Sequence, residues 1–376
     1  MIRLTLAIAG LAAAGANADI APEPLGVVES LPESYPPHWI IVQDGSFFHM
    51  SDGKFIVLDV SSDDAAARYK GMFNGSFIPQ LTVATKRPEF YVAETFHSRG
   101  NRGERTDVLT FYDKRSLAPQ AEVIIPPKRA SSIPTHYHVQ LTDDEEFVLI
   151  YNFSPAQSVS VVNAETRSFA GEVPVPGCAL AFPMQGRAFA SLCGDGKMLR
   201  VRLDDSGAVE SAERTEAFFD AENDPLMEKP AIIDGVGYFP TFLGSIVPVD
   251  LSGDMPRPQS PWSLVDGEDG DWRPGGIAVA GSDANGRLYV LMHPGGYDGS
   301  HKDPGTEVWV FDVDRQQRVG RIELATPAIT IGLTAADEPL LVATNINLTL
   351  DVYAVAGGEH LRTIADFGQE TPFLFH

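Results

Sequence analysis

An all-β fold, a seven-bladed β-propeller, is predicted by three features of the 376-residue chain. A short β-rich phrase recurs at Phe55–Val60, Val108–Asp113, Val159–Asn163, Leu199–Asp204, Ile246–Asp250, Val308–Asp312 and Leu350–Val355. Most copies carry Asp or Asn at the end, residues whose side chains bond nearby backbone and favour a turn. Taking Asp59, Asp113, Asn163, Asp204, Asp250, Asp312 and Ala354 as markers, the spacings are 54, 50, 41, 46, 62 and 42 residues. A period of roughly 40–60 residues with several strands per unit reads as a propeller blade. Helix signals are scarce, with only Asp63–Tyr69 and Asp220–Met227 faintly helical.

The elements follow in order. Residues 1–18 read as a signal peptide and 19–36 as an extended, proline- and acid-rich arm; 37–376 hold the seven-bladed β-propeller. Blade one covers 38–72, with Trp39–Val42 and Phe47–Met50 flanking the turn Asp44-Gly45-Ser46, a hairpin signal. The arm is expected to add a strand to it and close the ring. Blade two covers 77–126 and is interrupted by a longer loop, Ser98 to Asp107. Blade three covers 134–175, blade four 177–216 and blade five 229–262, which contains the turn Asp234–Gly237. Blade six, 273–326, carries the longest insert, Pro294 to Gly305. Long glycine-rich loops on a rigid scaffold are where function tends to sit. Blade seven covers 328–368.

Formal net charge is −23 and pI near 4.7. Such a chain repels nucleic acid and anionic membrane, which excludes both as partners. Arg3, the apolar run Leu4–Ala14 and the small-residue site Ala16-Asn17-Ala18 make an export signal cleaved after Ala18. No later stretch approaches the ~20 apolar residues of a membrane helix. An exported, soluble mature chain is expected, with charge −23 − 1 = −24 after loss of Arg3.

Two cysteines in an exported chain suggest a disulfide. Cys178 and Cys193 flank a strand–turn–strand segment with Gln185-Gly186-Arg187 as its turn, so they face one another on adjacent strands. Other chemistry is hard to find. His136 and His138 would share one side of a strand, but nothing nearby completes a metal-ligand spacing. Asp266–Asp271 is oxygen-rich yet lacks the calcium-loop spacing, and reads as a solvated loop between blades. No nucleophile elbow, phosphate loop, dinucleotide fingerprint or haem-attachment motif is present. A reactive group, if this chain serves an enzyme, is expected to come from elsewhere.

Several segments resemble one family in order along the chain. Gly71–Pro79, Arg102–Asp107, Phe153–Ala156, Cys178 with Cys193, Asp271–Gly276 and His301-Lys302 are similar to the large (heavy) subunit of methylamine dehydrogenase, in the amine dehydrogenase family. The resemblance implies a seven-bladed propeller in a periplasmic heterotetramer of two large and two small subunits. It places tryptophan tryptophylquinone in the small (light) subunit and no cofactor in this chain. That quinone oxidises a primary amine to aldehyde and ammonia, and electrons pass to a blue copper carrier. Catalytic residues are then expected to be absent from this chain. The resemblance aligns Phe77 with the aromatic side chain that gates the substrate channel, and Cys178–Cys193 with an intrachain disulfide. Thr135–His138 stands where the family often has Tyr-Pro-Trp. Three alternatives remain open: an aromatic amine dehydrogenase large subunit, a lactonase-like hydrolase with a central metal, and a non-enzymatic exported scaffold.

Overall fold

A computed structural model describes residues 30–45, 52–76, 78–130, 136–365, 367–368 and 372–375. Leu31–His376 form one compact unit, and all the strands belong to it. The fold is an all-β propeller, built from antiparallel sheets whose turns are set by the marker residues. Asp59, Asp113, Asn163, Asp204, Asp250 and Asp312 each accept a backbone N–H two or three residues on, at 2.7–3.1 Å. These bonds hold the carboxyls of Asp113, Asp204, Asp250 and Asp312 below the usual range, helped by nearby serine hydroxyls at the first three and by Arg287 at Asp312.

The expectation of seven blades is corrected. The structure is five-bladed in the sense that five sheets stand as separate blades. The remaining repeats share one continuous eight-stranded sheet. The cause is one 17-residue strand, Gln317–Leu333. Its first part pairs with Gly305–Asp312 and its second with Leu340–Asn345. Leu324-Ala325-Thr326-Pro327 contains no glycine or Asx turn, so the backbone stays extended where a sheet break was expected. Counting markers counts sequence repeats, whereas a blade is defined by where hydrogen bonding stops.

Three further expectations change. The ring is closed by the chain's other end: Pro372–Phe375 pairs with Trp39–Asp44. The described part of the arm forms no strand, and is tied to the second blade by Leu31 N–H to Arg115 O (2.8 Å) and the Tyr35 hydroxyl to Lys114 O (2.7 Å). Ser98 to Asp107 is not a loop: Glu89–Arg99 and Arg102–Asp113 pair as one long hairpin out to Arg99 opposite Arg102. Of the two helical signals, Ala65–Arg68 forms a single turn capped by Asp64, and Asp220–Met227 is turns.

The core lies between the sheets. Phe182 packs against Tyr137 on one side (4.7 Å between centroids) and Phe239 on the other (5.2 Å), bridging three blades. Phe73 stacks on both Phe55 (5.0 Å) and Phe90 (5.4 Å), tying the first blade to the second. Such inter-sheet aromatic pairs add to area burial and make a stiff disc.

Candidate functional site

In a four-stranded antiparallel blade, successive connections alternate between the two faces of the disc. The links from one blade to the next therefore share a face with the connections between second and third strands. A cavity of about 650 Å³ opens among these segments. Tyr151, Phe153, Phe242 and Ile277 supply apolar wall, and Lys229, His301 and Lys302 supply basic groups. The Pro294–Gly305 insert lines it through Asp298–Lys302, as the rule about long loops leads one to expect. Burial lowers the Lys229 ammonium; Glu228 opposes the shift and Lys302 adds to it. On the same face, exposed apolar side chains sit at the second-to-third strand connections of five repeats: Phe96, Phe153, which also lines the cavity, Leu243, Tyr297 and Ile346. The other large exposed apolar residues lie on or beside outer strands.

The segment Ser76–Gln80 links the first blade to the second on this same face. Phe77 lies outside the described residues. Its neighbours are held by a buried polar network. The Ser76 N–H donates to the Glu94 carboxylate, and Ser76 Oγ accepts from Thr95 N–H at 2.7 Å. The carbonyl of Ile78 accepts from Arg129 Nη1 (3.0 Å), and that of Pro79 from Gln43 Nε2 (2.6 Å). Gln80 Nε2 donates to Ala130 O at 2.9 Å. The Oε1 atoms of Gln43 and Gln80 are buried with no hydrogen-bond partner among the described residues, which suits them to ordered water.

Two charges anchor the network. Asp107 is fully buried and accepts from Thr95 Oγ1 (2.8 Å), Arg105 Nε and Nη2 (both 2.7 Å) and Arg129 N–H (3.1 Å). Burial lowers Arg129 to about 10, an effect that Asp107 and Glu94 oppose and Arg105 reinforces. Burial pushes Glu94 up to about 7, although the Thr110 hydroxyl, Arg129 and the Ser76 N–H favour its ionised form. Glu122 adds to the rise. The sequence hid these residues. Glu94 directly follows the apolar run Phe90–Ala93, and Arg129 falls between the segments read as blades two and three. A charge adjoining a strand-like apolar run was the available signal for Glu94.

Cys178 and Cys193 are cross-strand partners joined by a disulfide, as expected. His136 and His138 occupy a 3-10 turn and not a strand, so they do not share a strand face. His138 is buried edge-on to Tyr151. Among the described residues, no group of three or more His, Cys, Asp or Glu side chains could hold a metal. In the acidic loop, Glu268 is locked to Arg318 and Arg321, which makes it an ionic clasp between repeats. Trp272 packs on Trp309 (5.0 Å), and Arg273 lies over Phe242 of the neighbouring blade (4.7 Å). Arg105 pairs with Asp107, but Arg102 does not join them.

Residues 38–374 match the profile of the family described as methylamine dehydrogenase heavy chain (MADH). The chain belongs to the methylamine dehydrogenase heavy-chain family. A Paracoccus versutus methylamine dehydrogenase heavy chain is 30% identical over 337 residues, covering 88% of this chain and 77% of that one. The Methylophilus methylotrophus heavy chain is 28% identical over 342 residues (89% and 82%). That of Methylorubrum extorquens is 30% identical over 287 residues (75% and 69%). Among solved structures, a proposed 6-phosphogluconolactonase from Bacteroides fragilis aligns with TM-score 0.61 at 11% identity, covering 91% of this chain and 99% of that one. The dihydro-heme d1 dehydrogenase NirN aligns with TM-score 0.53 at 13% identity (90% and 75%). These two share the fold alone. Membership of a heavy-chain family implies a light-subunit partner in an oxidoreductase complex. No helix among the described residues is long and apolar enough to cross a membrane.

Proposed function

We propose that this chain is the large subunit of a periplasmic, tryptophan tryptophylquinone-dependent amine dehydrogenase. In this reading methylamine becomes formaldehyde and ammonia, and electrons leave to a blue copper carrier of the amicyanin type. The assembly is a heterotetramer of two large and two small subunits, and export follows the signal peptide cleaved after Ala18. The quinone, carried by the small subunit, supplies the two-electron oxidation. The observation that carries the reading is the family match from residue 38 to 374.

The work of this chain is to hold, shape and dry the site. The face that bears the cavity and the exposed Phe96, Phe153, Leu243, Tyr297 and Ile346 is the seat for the small subunit. Burying five such side chains on one face favours association and excludes water from what lies beneath. Phe77 lines the substrate channel as its gate, next to the segment held by Glu94, Arg129 and Gln43. A bulky ring there narrows the channel and discriminates by amine size.

Two measurements test this. A tagged chain purified from the periplasm of its native host is expected to bring a small subunit with a visible quinone band that bleaches with methylamine. A colourless chain recovered alone would overturn the assignment. In the assembled enzyme, Phe77→Ala is expected to raise kcat/KM for a bulky amine relative to methylamine by about tenfold, the scale of a pocket's discrimination over one or two methylenes. Unchanged relative rates across an amine series would remove Phe77 from the channel.

A further inference from the structure

Among the described residues, no other blade has a second-to-third-strand hairpin as long as that of the second blade. Its strands, Glu89–Arg99 and Arg102–Asp113, have 11 and 12 residues, where the equivalent strands of the third and fourth blades have six. From Phe96 to Thr106 the side chains are exposed or half-exposed, so the extra length stands out from the cavity face. At ~3.3 Å per residue, the five and six extra residues of the two strands project about 16–20 Å. The base is fixed: the fully buried Asp107 carboxylate holds Thr95, the half-buried Arg105 and the Arg129 backbone together. Arg105 Nη2 also donates to Arg129 O at 3.0 Å. Such a base aims the tip and does not let it swing.

The tip is built against the chain's own interest. Arg99 and Arg102 are cross-strand partners, separated by the turn Gly100-Asn101. Like charges directly opposite one another destabilise a hairpin. Among the described residues neither guanidinium makes a hydrogen bond or an ion pair, although the chain has 51 acidic residues against 28 basic ones. Arginines elsewhere on the surface do find carboxylates: Arg187 has Asp144, Arg202 has Asp254, Arg214 has Asp195. Two unmatched guanidinium forks side by side on a rigid mount present five donors each, in the geometry that grips carboxylates.

We propose that the Phe96–Arg105 hairpin is a docking arm for the small partner subunit, with Arg99 and Arg102 straddling a carboxylate pair on that subunit and Phe96 packed at the arm's base. This rests on the preceding reading, in which the small subunit sits on the cavity face. On a chain of net charge −23 a paired cationic tip is an exception, and it selects a carboxylate-bearing partner surface. It therefore sets the register of docking as well as contributing affinity. Binding of the partner relieves the Arg99–Arg102 repulsion, so the arrangement costs least in the assembled state.

The test uses the complete enzyme. Small subunit that co-purifies with this chain is separated and rebound to wild-type chain and to the R99E/R102E double variant, across a salt series. Wild-type affinity is expected to fall with salt. The double variant is expected to bind at least ~10-fold more weakly at low salt with a flattened salt dependence, because a desolvated charge pair has been reversed. Thermal unfolding of the free variant should match wild type, since the tip is exposed, and R99K/R102K should recover part of the affinity. Equal affinity and salt slope for wild type and R99E/R102E would overturn the proposal. So would sedimentation showing that the reversal abolishes only self-association of this chain, or calorimetry showing that the arm binds inorganic phosphate alone. If no small subunit accompanies the wild-type chain, the functional reading fails first and the arm's assignment falls with it.

Discussion

Replacing Asp107 with alanine is expected to destabilise the fold by about 3–5 kcal/mol, the range seen when one partner of a buried charge cluster is removed. The reason is the number of groups that depend on it. Arg105 donates twice to its carboxylate, Thr95 once through its hydroxyl and Arg129 once through its backbone N–H. Arg129 is itself almost fully buried, and Asp107 is the leading charge that keeps its guanidinium ionised there. Removing the carboxylate leaves that cation buried with less compensation, and four donors without their acceptor. Asp107→Asn should cost less, because one carbonyl oxygen remains. Denaturant unfolding of the purified chain at pH 7 measures both. A loss below about 1 kcal/mol for the alanine variant would mean the network does not bear on global stability.

The second large effect concerns Glu94 and has the opposite sign. Its carboxyl rises from 4.5 to about 7, chiefly through burial. A carboxyl whose folded value is raised binds its proton more tightly in the folded state than in the unfolded one. Wild-type stability therefore falls as pH rises from about 4.5 through about 7, and stays lowered above that. At about 1.4 kcal/mol per pH unit the full loss is roughly 3 kcal/mol. Thr110, Arg129 and Ser76 face the ionised group favourably, while Glu122 faces it unfavourably. Glu94→Gln cannot ionise, and it can still accept from Thr110 and Ser76. Its stability curve should lack the decline, so that it gains on wild type between pH 5 and 8. Two parallel curves over that range would show that Glu94 is already ionised in the folded chain. Retaining such a group beside the Ser76–Gln80 segment, at a cost in stability, fits a position selected for what it holds.

Much of the architecture was legible. The Asp and Asn markers predicted turns because their side chains satisfy backbone N–H groups locally, and local chemistry survives the move into three dimensions. Cys178 and Cys193 were readable for the same reason, since a short strand–turn–strand segment fixes its own register. What failed was non-local. Nothing near Pro327 says whether two sheets will separate, because that depends on what Gly305–Asp312 and Leu340–Asn345 offer on either side. Pro372–Phe375 finds Trp39–Asp44 across the whole chain, and no local pattern announces such a pairing. The candidate site was half legible. The Pro294–Gly305 insert was anticipated, whereas Glu94 and Arg129 belong to no motif and the exposed Arg99–Arg102 pair lies in a segment read as loop.

The pairing of Pro372–Phe375 with Trp39–Asp44 has a consequence in time. The first sheet to be synthesised waits for completion until all the others have been made, because one of its strands, Pro372–Phe375, follows every other strand of the disc in sequence. Until those residues arrive, Trp39–Asp44 presents a bare edge to every neighbouring chain. Such a protein cannot mature strand by strand as it emerges. It has to stay open until the whole polypeptide is delivered, and then fold in one slow step dominated by long-range contacts. A chain shortened by its final ten residues should therefore accumulate as sticky, edge-exposed material and not as a slightly smaller disc.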